Sequence, residues 1–142
     1  MLRVRPQNDI CNMKITQALL DALTVQAKAS PRLRMNYDLR NSAEDGSQRM
    51  LNAIEPGSPL PIHRHRHSSE TVACLRGRLQ EVFYNDSGEE TELIELAPNS
   101  DCVALNIPAC QWHTVRVLES GTVILECKDG RYEPLGEEDV MG

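Results

Sequence analysis

Short runs of alternating apolar and polar residues follow one another after Pro31 and predict β-strands. The clearest runs cover residues 35–39, 48–54, 71–75, 79–84, 91–96, 103–107, 112–118 and 122–127. Turn-forming residues separate them, among them Asn85-Asp-Ser-Gly88, which is typical of a β-hairpin. About nine short strands at this spacing, with almost no helix among them, indicate an antiparallel barrel or sandwich.

One segment before Pro31 departs from this pattern. Thr16 is suited to cap the N-terminus of a helix, and Pro31 is suited to end one. Between them, apolar residues recur at helical spacing: Leu19, Leu20, Leu23 and Ala27. The sequence therefore predicts one short amphipathic helix over residues 16–30, with its apolar stripe on the body of the fold.

Residues 14–142 contain no internal repeat and no linker, which predicts a single domain. Before this domain, residues 1–13 lack a clear periodicity, and we expect a disordered extension there. At its end, residues 131–142 are acidic and interrupted by Gly and Pro. We expect this last segment to be a tail that packs loosely on the outside.

Composition narrows the classes of partner. The chain has 142 residues, of which 25% are charged and 40% apolar, and no apolar stretch approaches the ~20 residues of a membrane span. A net charge of −6 argues against a nucleic-acid partner, because such binders rely on clustered Lys and Arg. The five cysteines form no CxxC pair, and no signal peptide is recognisable, so we expect a cytoplasmic location.

All four histidines lie in two short segments. His63, His65 and His67 are spaced two apart, which in an extended strand places them on one face, and Glu70 follows closely. His113 comes from a distant strand. A strand edge facing water, or adventitious metal binding by a His-rich tract, would require neither Glu70 nor His113. The pattern therefore favours a metal site with a ligand from a second strand.

Three imidazoles and one carboxylate are suitable ligands for one divalent transition metal ion and leave coordination positions open for water or substrate. We predict His63, His65, Glu70 and His113 as the ligands. These ligand types do not distinguish among Zn, Fe, Mn, Ni and Co. His67 shares their strand parity, but a local bend before Glu70 would turn it away, so it is either a pocket residue or a surface histidine.

The same residues resemble the sequence motifs of a known superfamily. Gly57, His63, His65, Glu70 and Gly77 stand at the spacing of the first cupin motif, and Pro108-x-Cys110-x-x-His113 resembles the second motif, with Cys110 where Gly is usual. The resemblance to the cupin superfamily implies an all-β, double-stranded β-helix (jelly-roll) barrel with the short helix added at its N-terminal side. It also implies a metal bound by the two motifs.

A narrower resemblance covers most of the chain. Asn36-Tyr37-Asp38-Leu39, the segment 48–52, Trp112-His113-Thr114-Val115 and the segment 125–134 are similar to the WbuC-type cupin metalloproteins. Members of that family occur in bacteria, some among genes for surface polysaccharide synthesis. The resemblance thus implies a metalloprotein and points towards a sugar-related role.

Other residues are weaker candidates. Arg49, Asn52 and Tyr37 are candidates for substrate binding, and His67 or Glu81 for proton transfer. We expect a small polar ligand, such as a sugar or sugar-acid derivative, and an isomerase- or epimerase-like reaction. An Fe(II)-dependent dioxygenase and a non-catalytic small-ligand or metal-binding protein are the alternatives. Exposed sheet edges favour a homodimer.

Overall fold

Two five-stranded antiparallel sheets and one helix form the fold in a computed structural model, which describes residues 13–142. The helix, α1, covers Gln17–Ala29. The strands are β1 (Arg34–Asp38), β2 (Ser47–Ile54), β3 (Ile62–His63), β4 (Glu70–Arg76), β5 (Leu79–Tyr84), β6 (Glu90–Leu96), β7 (Ala104–Ile107), β8 (Trp112–Val117), β9 (Thr122–Asp129) and β10 (Val140–Met141). The first sheet has the order β1-β2-β9-β4-β7, and the second has the order β10-β3-β8-β5-β6.

The predicted all-β class with one short helix is confirmed. The predicted closed barrel is not observed, because no strand among residues 13–142 pairs from one sheet to the other. The two sheets instead pack face to face and leave strands β1, β7, β10 and β6 at their edges. The arrangement is therefore an open jelly-roll sandwich.

Apolar side chains from both sheets form the core between them. They alternate along each strand with residues that face outwards, as expected for a sandwich. The buried members are Ile54, Val72, Cys74, Leu79, Phe83, Leu96, Ile107 and Ile124. This core fills one end of the sandwich, and the opposite end is lined by polar side chains.

Helix α1 covers the outer face of the first sheet. Its N-cap is Thr16, whose hydroxyl accepts a hydrogen bond from the Leu19 N–H. Leu20, Leu23 and Ala27 pack against Tyr37 and against other outward side chains of β1, β2 and β9. Because helix and sheet bury each other's apolar residues, this side of the sheet is a second core.

The two chain ends differ from each other. The predicted disordered extension lies outside the described residues, except for Met13, which packs at the margin of the α1 cluster. The segment 131–142, predicted as a loose tail, includes a 3-10 turn at Glu137–Asp139 and strand β10. Val140 pairs with His63 and Met141 with Ile62, so the end of the chain adds an edge strand to the second sheet.

The carboxyl group of Glu81 lies inside the sandwich, on the side of the apolar core. Glu81 on β5 has no exposed surface, and neither of its carboxyl oxygens has a hydrogen-bond partner among the described residues. Burial, together with the charges of Glu70 and Glu126, raises the pKa of Glu81 well above its ordinary value. The raised pKa favours the neutral, protonated form of Glu81 inside the core.

Gly77→Ala is expected to destabilise the fold by about 3 kcal/mol or more. Gly77 has a φ of 85°, and an added Cβ would lie 2.6 Å from the Thr122 Cα, which is backbone that cannot rotate away. Gly121→Ala is the matched control, because its φ of 83° is similar but no atom lies within 4 Å of the added Cβ. Urea unfolding of both variants measures the difference, and equal losses would contradict the steric explanation.

In the metal-free protein, the free energy of unfolding is expected to decrease less steeply with rising pH in Glu81→Gln than in the parent. The raised folded-state pKa means that the native state keeps a proton which the unfolded chain releases above about pH 4.5. Stability is therefore lost from that pH upwards, by at most about 1.4 kcal/mol per pH unit, until the folded-state pKa is passed. Urea unfolding at pH 5 and pH 8 tests this, with the exposed Glu92→Gln as control. Parallel pH profiles for Glu81→Gln and the parent would contradict it.

Candidate metal centre

His63 and His113 face each other across two strands at the polar end of the sandwich. Strand β3 pairs with β8 so that His63 is directly opposite His113, and their ring centroids are 4.4 Å apart. The neighbouring pair on β5 and β8 is Phe83 with His113, which places the imidazoles next to the apolar core. His113 is only 2% exposed.

Backbone carbonyls fix the tautomers of these two histidines. The Nδ1 atom of His63 lies 3.1 Å from the Pro61 carbonyl oxygen, and the Nδ1 atom of His113 lies 2.9 Å from that of Gln111. A carbonyl only accepts, so each Nδ1 donates a proton and each Nε2 keeps its lone pair. Both Nε2 lone pairs are therefore available to a metal ion.

His65 completes a cluster of three imidazoles. One ring nitrogen each from His63, His65 and His113 all lie within 4.8 Å of one another. The Nε2 atoms of His65 and His113 are buried and have no hydrogen-bond partner among the described residues. Buried polar atoms without partners are costly, and a divalent ion between these nitrogens would satisfy both.

Burial favours the neutral form of two of the imidazoles, those of His63 and His113. Burial, together with the charge of His113, lowers the pKa of His63 to about 4, and burial also lowers the pKa of His113. Metal binding requires an unprotonated imidazole nitrogen. At neutral pH these two histidines are therefore already in the form that binds a metal ion.

Glu70 adds a carboxylate to the cluster from the start of β4. Its Oε2 lies 3.4 Å from His65 Nε2, and its Oε1 lies 4.0 Å from His113 Nε2. Burial alone would raise the pKa of Glu70, but contact with His65 and the positive charge of Lys128 outweigh it and lower the pKa to about 2. The group is thus a buried carboxylate anion beside three imidazoles, a donor set that fits a divalent transition metal ion.

The backbone that carries His65 lies beyond the regular part of β3 and is fixed by other segments. The Cys110 N–H donates to the His65 carbonyl at 2.7 Å, from a φ of 71° that favours glycine. On the other side, the Asp139 Oδ1 accepts from Arg64 Nε at 3.0 Å and from Arg66 Nε at 2.7 Å. The C-terminal segment thereby holds both residues that flank His65.

His67 is separate from the cluster. It is exposed and lies in a bend after the end of β3, so the strand alternation that would align it with His63 no longer applies. The structure therefore brings together His63, His65, Glu70 and His113 and leaves His67 at the margin of the cavity.

A cavity of about 620 Å³ opens above the cluster. Asn52 on β2 and Glu126 on the neighbouring strand β9 both lie in its wall. Burial and the charge of Glu70 raise the pKa of Glu126 to about 7. Lys128 lies two residues further along β9, and its Nζ is 3.7 Å from Glu70 Oε2. Glu126 and Lys128 are not among the residues predicted from the sequence, although both alternate with the inward-facing Ile124.

Two of the weaker candidates for substrate binding lie elsewhere. Arg49 is on the outward-facing parity of β2, and its guanidinium binds Asp45 at 3.1 Å and the Ser47 carbonyl at 2.9 Å. Tyr37 is buried against helix α1 on the outer face of the same sheet. A strand places alternate residues on opposite faces, so neither reaches the cavity that Asn52 lines. Glu81 is inside the sandwich, below the cluster, and does not line the cavity.

Cupin-fold proteins are among the solved structures that are similar to this chain. The chain is similar to KdgF from Halomonas sp., with a TM-score of 0.54 and 14% identity over 72% of this chain and 84% of that one. It is also similar to the capsular polysaccharide assembling protein CapF from Staphylococcus aureus, with a TM-score of 0.54 and 19% identity over 76% of this chain. This chain spans 30% of CapF. Together these similarities show that the chain has the cupin fold.

No curated protein matches the sequence. No helix among the described residues has the length and apolar character that a membrane span needs.

A family model matches residues 15–96, which is more than half of the chain and includes His63, His65 and Glu70 but not His113. The chain therefore belongs to the family described as a domain of unknown function, DUF6016.

Proposed function

We propose that this protein holds one divalent transition metal ion through His63, His65, Glu70 and His113 and uses it in an enzymatic reaction. The substrate is a small polar metabolite, a sugar or sugar-acid derivative, and the reaction is an isomerisation or epimerisation. The observation that carries the proposal is the convergence of three ring nitrogens within 4.8 Å, beside a buried carboxylate and below an open cavity.

The chemistry expected of such a centre is Lewis-acid catalysis, in which the bound ion polarises a carbonyl or stabilises an enediolate oxygen. The residues of the chain then supply orientation and proton transfer. Glu126 and Asn52 both line the cavity, and we assign proton exchange with the substrate to Glu126. Since its pKa is raised to about 7, Glu126 accepts and releases a proton near neutral pH.

The shape and lining of the cavity support a polar substrate over a purely structural metal. A metal site without catalytic function would be closed by large apolar side chains, whereas this cavity is open and carries amide, carboxylate and ammonium groups. The resemblance of the sequence to WbuC-type cupins, and the fold shared with a capsular polysaccharide assembling protein, support a link to bacterial surface polysaccharide synthesis.

His65→Ala and His113→Ala are each expected to lower metal affinity by more than about 100-fold, because each removes a ligand rather than a neighbour of one. The thermal midpoint of unfolding of metal-loaded protein should fall as well, since metal binding contributes to folding free energy. Metal content by mass spectrometry and unfolding with and without EDTA measure the two effects.

His67→Ala is the matched control, and it should retain the metal content of the parent. Stoichiometric metal in both the His65 and His113 variants would contradict the ligand assignment. Complete loss of metal from His67→Ala would instead make His67 a ligand.

The reaction class is tested in deuterated water. Metal-loaded protein is incubated with a panel of keto sugar acids and aldoses, and proton NMR follows deuterium entry next to the carbonyl group. We expect exchange with at least one compound and its loss in Glu126→Gln, which keeps the shape of the side chain but not the acid–base group. Absence of exchange across the panel would contradict the isomerase proposal. Oxygen consumption by protein that was purified anaerobically with iron would favour the dioxygenase alternative.

A further inference from the structure

We propose that Lys128 determines substrate specificity by binding the anionic group of the ligand, so that the site selects a polyhydroxylated anion over a neutral sugar. This inference rests on the proposed metal site and adds the charge class of its substrate. It concerns a residue that lies outside both cupin motifs.

The register of the first sheet places Lys128 next to the metal centre. On β9 it is directly opposite Glu70 of β4 on one side and Gln48 of β2 on the other. These three residues share the face of the sheet that lines the cavity. The Lys128 side chain is 14% exposed, so its ammonium group reaches the cavity from a mostly buried position.

The ion-pair partner of Lys128 in this structure is Glu70, which is also a predicted metal ligand. Within residues 13–142, Glu70 is the one carboxylate within 4.0 Å of Lys128 Nζ, at 3.7 Å. When Glu70 binds a divalent ion, its negative charge is directed mainly to that ion. The ammonium group then loses most of its compensation by Glu70 and keeps the longer-range interaction with Glu126, so a ligand anion supplies the close counter-charge.

The charge of the cavity differs in sign from that of the whole chain. The chain carries a net charge of −6, yet six basic and five acidic side chains line the cavity, before the two positive charges of a metal ion are added. A cleft whose charge is opposite to that of the surrounding surface concentrates ligands of the complementary sign. The cavity therefore favours anions, although the protein as a whole repels them.

Other cations of the cavity are less suited to this role. Arg64 and Arg66 are both held by Asp139, and Arg34 donates to the Pro59 carbonyl at 2.6 Å. Arg32 and Arg131 are exposed at the margin of the cavity. Lys128 is thus the cation that is mostly buried and close to the metal ligands, where a desolvated charge discriminates most strongly.

Calorimetry on metal-loaded protein of known metal content tests the inference with three probes. D-Gluconate and D-sorbitol 6-phosphate are polyhydroxylated anions, and D-sorbitol is the neutral compound of the same chain length. We expect at least one anion to bind ten or more times as tightly as sorbitol, and the two anionic arms distinguish a carboxylate from a phosphate.

Lys128→Met, which keeps length without charge, is expected to abolish this tenfold preference of the anions over sorbitol. Lys128→Arg should retain the preference because it retains the charge, and it keeps the test informative if Lys128→Met folds poorly. Lys28→Met is the matched control, because Lys28 is exposed in the last turn of α1, away from the cavity. It should bind all three probes like the parent.

Several results would overturn the inference. The first is that neither anion binds the metal-loaded parent more tightly than sorbitol does. Another is an unchanged anion preference in Lys128→Met. A third is loss of metal from Lys128→Met, which would mean that Lys128 serves only to neutralise Glu70. Failure of the parent itself to bind metal would instead refute the proposed function, so the two failures are distinguishable.

Discussion

The pairing of His63 with His113 across β3 and β8 is the constraint on which the rest of the site depends. It sets two imidazoles side by side at the junction between the apolar core and the cavity. Each ring is oriented by a hydrogen bond from Nδ1 to a carbonyl two residues earlier in its own strand segment. The same backbone that forms the sheet therefore also selects the tautomer, and no separate side-chain network is needed for these two residues.

Strand β3 is short, and neighbouring strands hold it from both sides. Strand β8 pairs with it along one edge, and β10 pairs along the other. Beyond β3 the chain bends, yet His65 still faces the cluster because Cys110 binds its carbonyl and Asp139 binds both flanking arginines. The C-terminal segment is thus structurally part of the site, although it contributes no metal ligand of its own.

Buried charge divides the interior of the sandwich into two regions. One end is filled by aliphatic and aromatic side chains, which stabilise the two sheets against each other. At the other end, Glu70, Glu126 and Lys128 share the inner face of the first sheet, with Glu81 below them. These groups are costly to bury, and proteins retain such groups mostly where a site uses them. Glu81 differs from the other three because it is buried on the core side and does not line the cavity.

The sequence by itself determined the strand pattern, the helix with its Thr16 cap and the grouping of the histidines. These depend on local periodicity, on capping and on motif spacing, which are properties of neighbouring residues. It left His67 open between the cavity and the surface, since alternation holds only while a strand continues. It also left open the sheet face of the weak candidates Arg49 and Tyr37, because that face depends on register.

Only the tertiary structure decided the rest, because each remaining feature joins residues far apart in the chain. Pairing of β4 with β9 placed Lys128 beside Glu70, and pairing of β10 with β3 brought Asp139 to the arginines around His65. Inward charged residues on β9 were visible as an alternation with Ile124. The packing of the two sheets decides whether that face lines a cavity or contacts solvent. No single segment of the sequence contains that information.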